Sequence, residues 1–206
     1  MNVLEKSGCW SILFLMDTKA LFRFASIVAV AQLVFAGAAV AETQFTGIAA
    51  GATYSAPVGE EYQTYSESTG YRAQFWAKND AVLGDVFQLH GSAGYRPYDI
   101  RGLTSSAAIS LKQWAFFLGF ETGRMTNPSW IKPFFGIDFG AVFSDLEAPT
   151  GYAKNSAFHF ASEVIPGFEI PIWGALSFQA SAPLTFIFTN KVFISLSGEG
   201  SLRWSL

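Results

Sequence analysis

The chain has 206 residues, half of them hydrophobic, 17% aromatic and only 14% charged, with a formal net charge of −3. Soluble globular domains carry roughly 25% charge, and disordered chains have few aromatics, so neither description fits. The weak negative charge offers no basic patch for a nucleic acid. A single cysteine, Cys9, cannot close a disulfide, and no CxxC or His/Cys cluster suggests a metal site.

The chain opens with a leader-like segment. Ala20 to Ala41 is apolar except for Arg23, Ser26 and Gln32, and it ends on Ala39-Val40-Ala41. This is the A-x-A pattern of a secretory signal, with Lys19 and Arg23 as the positive start and Ile27 to Phe35 as the apolar stretch. Counted from Met1 the leader, residues 1–41, is too long for such signals. Counted from Met16 it fits the usual length of roughly 15–30 residues. The expectation is therefore translation from Met16 and cleavage after Ala41, with a single domain over 42–206. That domain has no run of about 18 apolar residues, so a membrane-spanning helix is excluded there.

Beyond residue 42 the hydrophobic pattern has a period of two, the mark of strands with unlike faces. Over 45–54, Ile48, Ala50, Ala52 and Tyr54 alternate with Gly47, Ala49, Gly51 and Thr53. Over 71–78, Tyr71, Ala73, Phe75 and Ala77 oppose Arg72, Gln74, Trp76 and Lys78. Over 87–96, Phe87, Leu89, Ala93 and Tyr95 oppose Gln88, His90, Ser92 and Arg96. Residues 107–121 leave two registers open, because Trp114/Phe116/Leu118/Phe120 and Ile109/Leu111/Ala115/Phe117 are both apolar. Over 131–143, Pro133, Phe135, Ile137, Phe139, Ala141 and Phe143 oppose Lys132, Gly136, Asp138 and Gly140. Over 157–169, Phe158, Phe160, Val164 and Phe168 oppose His159, Ala161, Glu163 and Glu169. Over 176–188, apolar residues from Leu176 to Phe188 alternate with Ser177, Gln179, Ser181, Pro183, Thr185 and Ile187. The last segment sets Val192, Ile194, Leu196, Leu202 and Trp204 against Ser195, Ser197, Glu199, Ser201 and Arg203.

These segments predict eight strands. Their connections fall near 55–68, 79–85, 97–106, 122–129, 145–155, 170–174 and 189–191, and the long polar ones mostly follow odd-numbered strands. Strands of about 9–11 residues or more, with long loops at one end, suit an antiparallel up-and-down transmembrane β-barrel. A soluble barrel or β-sandwich also alternates, but its exposed face is rich in Lys and Glu, whereas the polar face here is mostly Ser, Gln, Thr and Gly. Aromatics gather near strand ends: Tyr54, Tyr71 and Tyr95 at one rim, Phe87, Trp130, Trp173 and Trp204 at the other. Girdles at a lipid–water interface have that form. Pro133, Pro166 and Pro183 fall inside predicted strands, where each removes a ladder bond.

Lys132-Pro133-Phe134-Phe135-Gly136-Ile137-Asp138-Phe139-Gly140 resembles the Pro-Tyr-x-Gly-x-Gly-x-Gly-type strand of the small eight-stranded outer-membrane barrels of Gram-negative bacteria, the OmpX and OmpA-barrel type. Glu199 through Trp204 and Leu206 resembles the C-terminal signal by which such barrels are recognised for assembly, with Leu in place of the usual Phe and Gly200 one place off the usual glycine. The resemblance covers roughly 42–206. It implies residence in the outer membrane, contact with its lipid and lipopolysaccharide, engagement of the barrel-assembly machinery through the last strand, and a monomer.

An eight-stranded interior is just wide enough to be filled by side chains. Arg72, Arg203, His90, Asp138, Glu163 and Glu199 lie on the inward faces and are expected to form one paired network plugging the lumen. Gly47, Ala49, Gly51, Gly136 and Gly140 would leave room for it. Enzymatic readings rest on two histidines. His90-Gly91-Ser92 has the spacing used by PagL-type lipid A deacylases, but there the motif faces lipid near the C-terminus, and here it faces inward on the third strand. His159 shares a face with Glu163 and not with Ser162. No third group is identified to orient a base, so no catalytic residue, cofactor or metal is assigned. Glu60, Glu61, Tyr62, Tyr65 and Glu67 make the first loop acidic and aromatic, a composition that fits a merely solvated loop better than a contact surface. The function this supports is an envelope structural or surface-interaction role, the alternatives being a lipid A-modifying hydrolase or a narrow channel.

Overall fold

The computed structural model describes residues 43–59, 64–79, 83, 86–100, 109–124, 130–147, 155–189 and 192–206. The leader and the residues Glu60, Glu61 and Tyr62 of the first loop lie outside them. The described residues form one antiparallel sheet of β1 (Gln44–Val58), β2 (Ser68–Lys78), β3 (Phe87–Asp99), β4 (Ser110–Thr122), β5 (Lys132–Glu147), β6 (Asn155–Trp173), β7 (Leu176–Ser181), β8 (Leu184–Phe188) and β9 (Val192–Ser205). From β1 to β7 each strand pairs with the next, β7 and β8 both pair with β6 and β9, and β9 returns to β1, so the sheet closes. Closure satisfies every backbone edge internally, which lipid demands of a spanning sheet.

The nine strands make eight staves. β7 and β8 both lie between β6 and β9, in the same alternation phase, and together are the seventh predicted strand. The interruption at Ala182-Pro183 falls opposite Ile165-Pro166, between the pairs Gly167↔Ser181 and Val164↔Leu184. Neither proline nitrogen can donate, so the ladder loses rungs there. The Ala182 amide still donates to the Pro166 carbonyl at 2.9 Å, and Ser197 donates to the Pro183 carbonyl at 2.8 Å, which holds the stave in place.

One ladder row runs Gly47, Trp76, His90, Gly119, Asp138, Glu163, Thr185, Ser195 and comes back to β1 at Pro57, ten residues beyond its start. Strands of a closed barrel must tilt to absorb such a stagger. The strands outrun their expected ends: β1 continues to Val58, β3 to Asp99, β5 to Glu147 and β6 to Trp173. What remains between β6 and β7 is a tight turn at Gly174-Ala175. Gly174 has φ 54°, the left-handed region where glycine carries no Cβ penalty.

The apolar face is outside. Phe116, Phe139, Phe158, Leu202 and Trp204 are exposed, while Arg72, Asp138, Glu163 and Glu199 are buried within. The open register of the fourth strand is settled with Trp114, Phe116 and Leu118 outward and Ala115, Phe117, Gly119 and Glu121 inward. A row of outward aromatics, Tyr71↔Tyr95↔Trp114↔Phe143↔Phe158, crosses five strands near the rim away from the two ends of the sheet. The far mouth is the opening at this rim; the near mouth is the one at Gln44 and Ser205. Spin labels at Leu202 and Trp204 should be reached by lipid-soluble quenchers and shielded from aqueous ones. Reversed accessibility would turn the barrel inside out.

Candidate functional site: a three-layered barrel interior

The interior is stratified. At mid-height, Glu163 of β6 is the hub of an ion-pair layer. Its Oε2 is 2.5 Å from Arg72 Nη2, and its Oε1 accepts from Thr185 Oγ1 at 2.7 Å and from Arg96 Nη2 at 3.3 Å. Arg72 also donates to Ser92 Oγ at 2.7 Å and lies 3.5 Å from Glu199 Oε2 and 3.9 Å from Asp138 Oδ2. Gln74 Nε2 donates to Glu199 Oε1 at 2.6 Å. His90 Nδ1 and Asp138 Oδ2 are 2.7 Å apart, and the row explains why they meet: the residue between them on β4 is Gly119, with no side chain to separate them.

A second layer closes the near mouth. Glu121 accepts from Trp76 Nε1 at 2.9 Å and Gln88 Nε2 at 2.9 Å and pairs with Arg124 Nε at 2.8 Å. Glu169 Oε2 lies 2.9 Å from Arg124 Nη1 and 2.7 Å from Arg203 Nη1. The Trp76 ring faces both guanidiniums, with Arg203 at 4.6 Å and Arg124 at 4.8 Å from its centroid. Burial brings the Arg124 guanidinium, in the turn after β4, down to about 10; Arg203 adds to the fall and Glu121 opposes it. Two guanidiniums meet two carboxylates here, and desolvated charges are tolerated only in such hydrogen-bonded pairing.

The third layer, toward the far mouth, is apolar: Ala115, Phe117, Val142, Ala161, Ile187 and Phe193, with Tyr65 packed on it. The Phe193 ring meets Tyr65 at 5.8 Å and Tyr98 at 6.2 Å, both edge-on. Tyr65 comes from the first loop, whose return limb is tied to the end of β3. Ser66 N donates to the Asp99 carbonyl at 2.8 Å, and Asp99 N donates to Ser66 Oγ at 3.1 Å. Tyr65 thus belongs to the closure of the lumen and not to an outer contact surface.

The six residues expected in one network divide. Arg72, His90, Asp138, Glu163 and Glu199 meet at mid-height, whereas Arg203 belongs to the second layer with Glu169. The lumen is also not polar throughout, since toward the far mouth Phe117, Val142, Ile187 and Phe193 pack together, with Ser55, Ser68 and Gln113 buried beside them. Of the small residues expected to leave room, Gly47 does so: a Cβ there would sit 2.7 Å from Arg203 Nε. Gly51 and Gly140 instead allow close approach of neighbouring backbone, at Gly200 and Phe116. Four charged members were missed. Arg96 and Glu169 were already on inward alternation faces, Glu121 was hidden by the open register, and Arg124 lay in a predicted connection.

His90 and Ser92 do face inward, but each has another partner, Asp138 and Arg72. Tyr54, Tyr71, Trp130, Trp173 and Trp204 are exposed, and Tyr95 is half-covered by Trp114 at a ring separation of 4.5 Å.

A closed eight-stave sheet with a lipid-compatible exterior and a filled interior defines a transmembrane β-barrel of the small outer-membrane type. Among solved structures, the chain is similar to the Neisserial surface protein A (NspA), with 14% identity and a TM-score of 0.57 over 80% of this chain and 99% of that one. It is also similar to Ail, the attachment invasion locus protein of Yersinia pestis, solved in complex with the heparin analogue sucrose octasulfate, with 12% identity and a TM-score of 0.53 over 78% of this chain and 98% of that one. No protein-family model matches the chain. No curated protein matches it either. At these identities the likeness is one of fold.

Proposed function

We propose that the chain is a closed barrel of the outer membrane whose work is done at its surfaces, as an envelope structural or surface-interaction protein. The observation that carries this reading is the succession of three closures along one lumen, two of ion pairs and one of apolar side chains. The Phe117–Ile187–Phe193 cluster fills part of the lumen toward the far mouth, beside the buried hydroxyls of Ser55 and Ser197, and the two ion-pair layers fill it below. The commitment of His90 to Asp138 and of Ser92 to Arg72 supports a non-enzymatic role over a lipid A hydrolase. The names of the two similar proteins, a surface protein and an attachment protein, agree with action at the cell surface.

In this reading, cleavage after Ala41 releases a mature chain starting at Glu42, and the last strand engages the assembly machinery. Tyr54, Tyr71, Tyr95, Trp130, Trp173 and Trp204 sit at the lipid and lipopolysaccharide interfaces of a monomer. The purified protein in planar bilayers is expected to show no steady open conductance. A stable conducting level in the wild type would remove the closed-barrel reading and restore the channel.

A further inference from the structure

One wall of the lumen differs from the rest. On β7 and β9, Gln179 stands directly opposite Ser201, and Ser181 directly opposite Glu199, all four pointing inward and buried. Gln74 of β2 reaches across β1 to bond Glu199. β1 can be crossed there because Gly51, the partner of both Ser201 and Arg72, has no side chain. Five oxygens of this block, Gln74 Oε1, Gln179 Oε1, Ser181 Oγ, Glu199 Oε2 and Ser201 Oγ, are buried with no hydrogen-bond partner among the described residues. Buried polar atoms are almost always satisfied. Three of the five can only accept, so whatever satisfies them carries positive charge or donates hydrogens.

The pairing of the carboxylates adds a second constraint. At mid-height the two guanidiniums of Arg72 and Arg96 face three carboxylates, Asp138, Glu163 and Glu199. Glu163 takes both arginines, and Asp138 takes His90. Glu199 is left with the longer approach to Arg72, 3.5 Å without a hydrogen bond. The second layer is internally matched and has no guanidinium to spare. We infer that this wall binds one monovalent alkali cation, with Glu199, the amide oxygens of Gln74 and Gln179, and the hydroxyls of Ser181 and Ser201 as its oxygen ligands. One carboxylate among neutral oxygens suits Na⁺ or K⁺. Ca²⁺ sites collect several carboxylates, and transition metals take imidazole or thiolate; among the described residues no group of three or more His, Cys, Asp or Glu is placed to hold a metal.

The test compares urea unfolding of the purified barrel in detergent, at equal ionic strength, in NaCl, KCl and choline chloride. A ligand that binds only the folded state raises the midpoint with the logarithm of its concentration. The midpoint is expected to rise with Na⁺ or K⁺ and not with choline. Saturable broadening of the ²³Na resonance by the folded protein, reversed by K⁺, is expected alongside it. Gln179→Leu with Ser201→Ala, which touches no ion pair, should abolish both effects while the barrel keeps its heat-modifiable gel mobility. Equal midpoints in all three salts, with no saturable ²³Na effect on the wild type, would mean that water alone fills the wall and would overturn the site. A cation increment that survives in the folded double variant would do the same. Should that variant not fold, the wild-type ²³Na titration and its competition by K⁺ decide alone.

Discussion

Glu163→Ala is expected to destabilise the barrel by about 3–5 kcal/mol, the range for breaking a buried ion pair and stranding its partner. Two guanidiniums lose their carboxylate at once, Arg72 and Arg96, and Thr185 loses its acceptor. Glu163 and the Arg72 side chain are both almost fully buried, so solvent screening offers little relief. Urea unfolding of wild type and variant, refolded into the same micelles, measures the loss. Arg72→Met combined with Glu163→Leu should cost less than the two single changes added together, because each single change leaves a charge that the double change removes. Additive effects would mean that the pair is not coupled. Glu199→Ala should cost less than Glu163→Ala, since Glu199 accepts one neutral hydrogen bond and only approaches Arg72. On the exposed side, Asp145→Ala, which removes the acceptor of Ser156, should stay within about 0.5 kcal/mol.

Gly119→Ala should be comparably damaging although it adds one methyl group. A Cβ at 119 would fall on the Ile137 carbonyl oxygen of the neighbouring strand and lie 2.5 Å from Asp138 Oδ1. The first is backbone held in the ladder and cannot swing aside; the second is the carboxylate that bonds His90. Relief requires β4 and β5 to separate or Asp138 to leave His90. Overpacking typically costs about 1–3 kcal/mol and occasionally more, and a clash against paired backbone belongs at the upper end. Gly198→Ala is the matched control, because nothing lies within 4 Å of a Cβ there. Its midpoint should stay within about 0.5 kcal/mol of wild type. If the two glycine variants unfold at the same urea concentration, the close packing of β4 on β5 is not what holds His90 to Asp138.

Alternation alone told which way most side chains point. Tyr71 outward and Arg72 inward follow from neighbouring residues in one strand, because successive Cβ atoms of an extended chain leave opposite faces whatever the partner strand is. Number of staves, lipid-facing surface and inward placement of the five mid-height residues were legible for that reason. Residues 107–121 were the exception, since Ala115 and Phe117 are inward yet apolar, and a two-residue period cannot choose between two apolar faces. Only the far-mouth layer gives that face its reason: Ala115 and Phe117 pack with Val142, Ile187 and Phe193, which come from three other strands.

Which charges meet was not legible. Arg72 and Arg203 look alike in sequence, each alternating inward on a polar face, yet one binds Glu163 and the other Glu169. Their partners depend on height in the barrel. Height is set by the ten-residue stagger that closure imposes on the ladder, not by any local pattern. The same stagger carries Arg124 from a connecting segment into the near-mouth layer and lets the Pro166 and Pro183 segments face each other, splitting one predicted strand into β7 and β8. Period-two alternation is a property of single strands and was written in the sequence. Register between strands is a property of the closed ring, and it alone decided how the interior is layered.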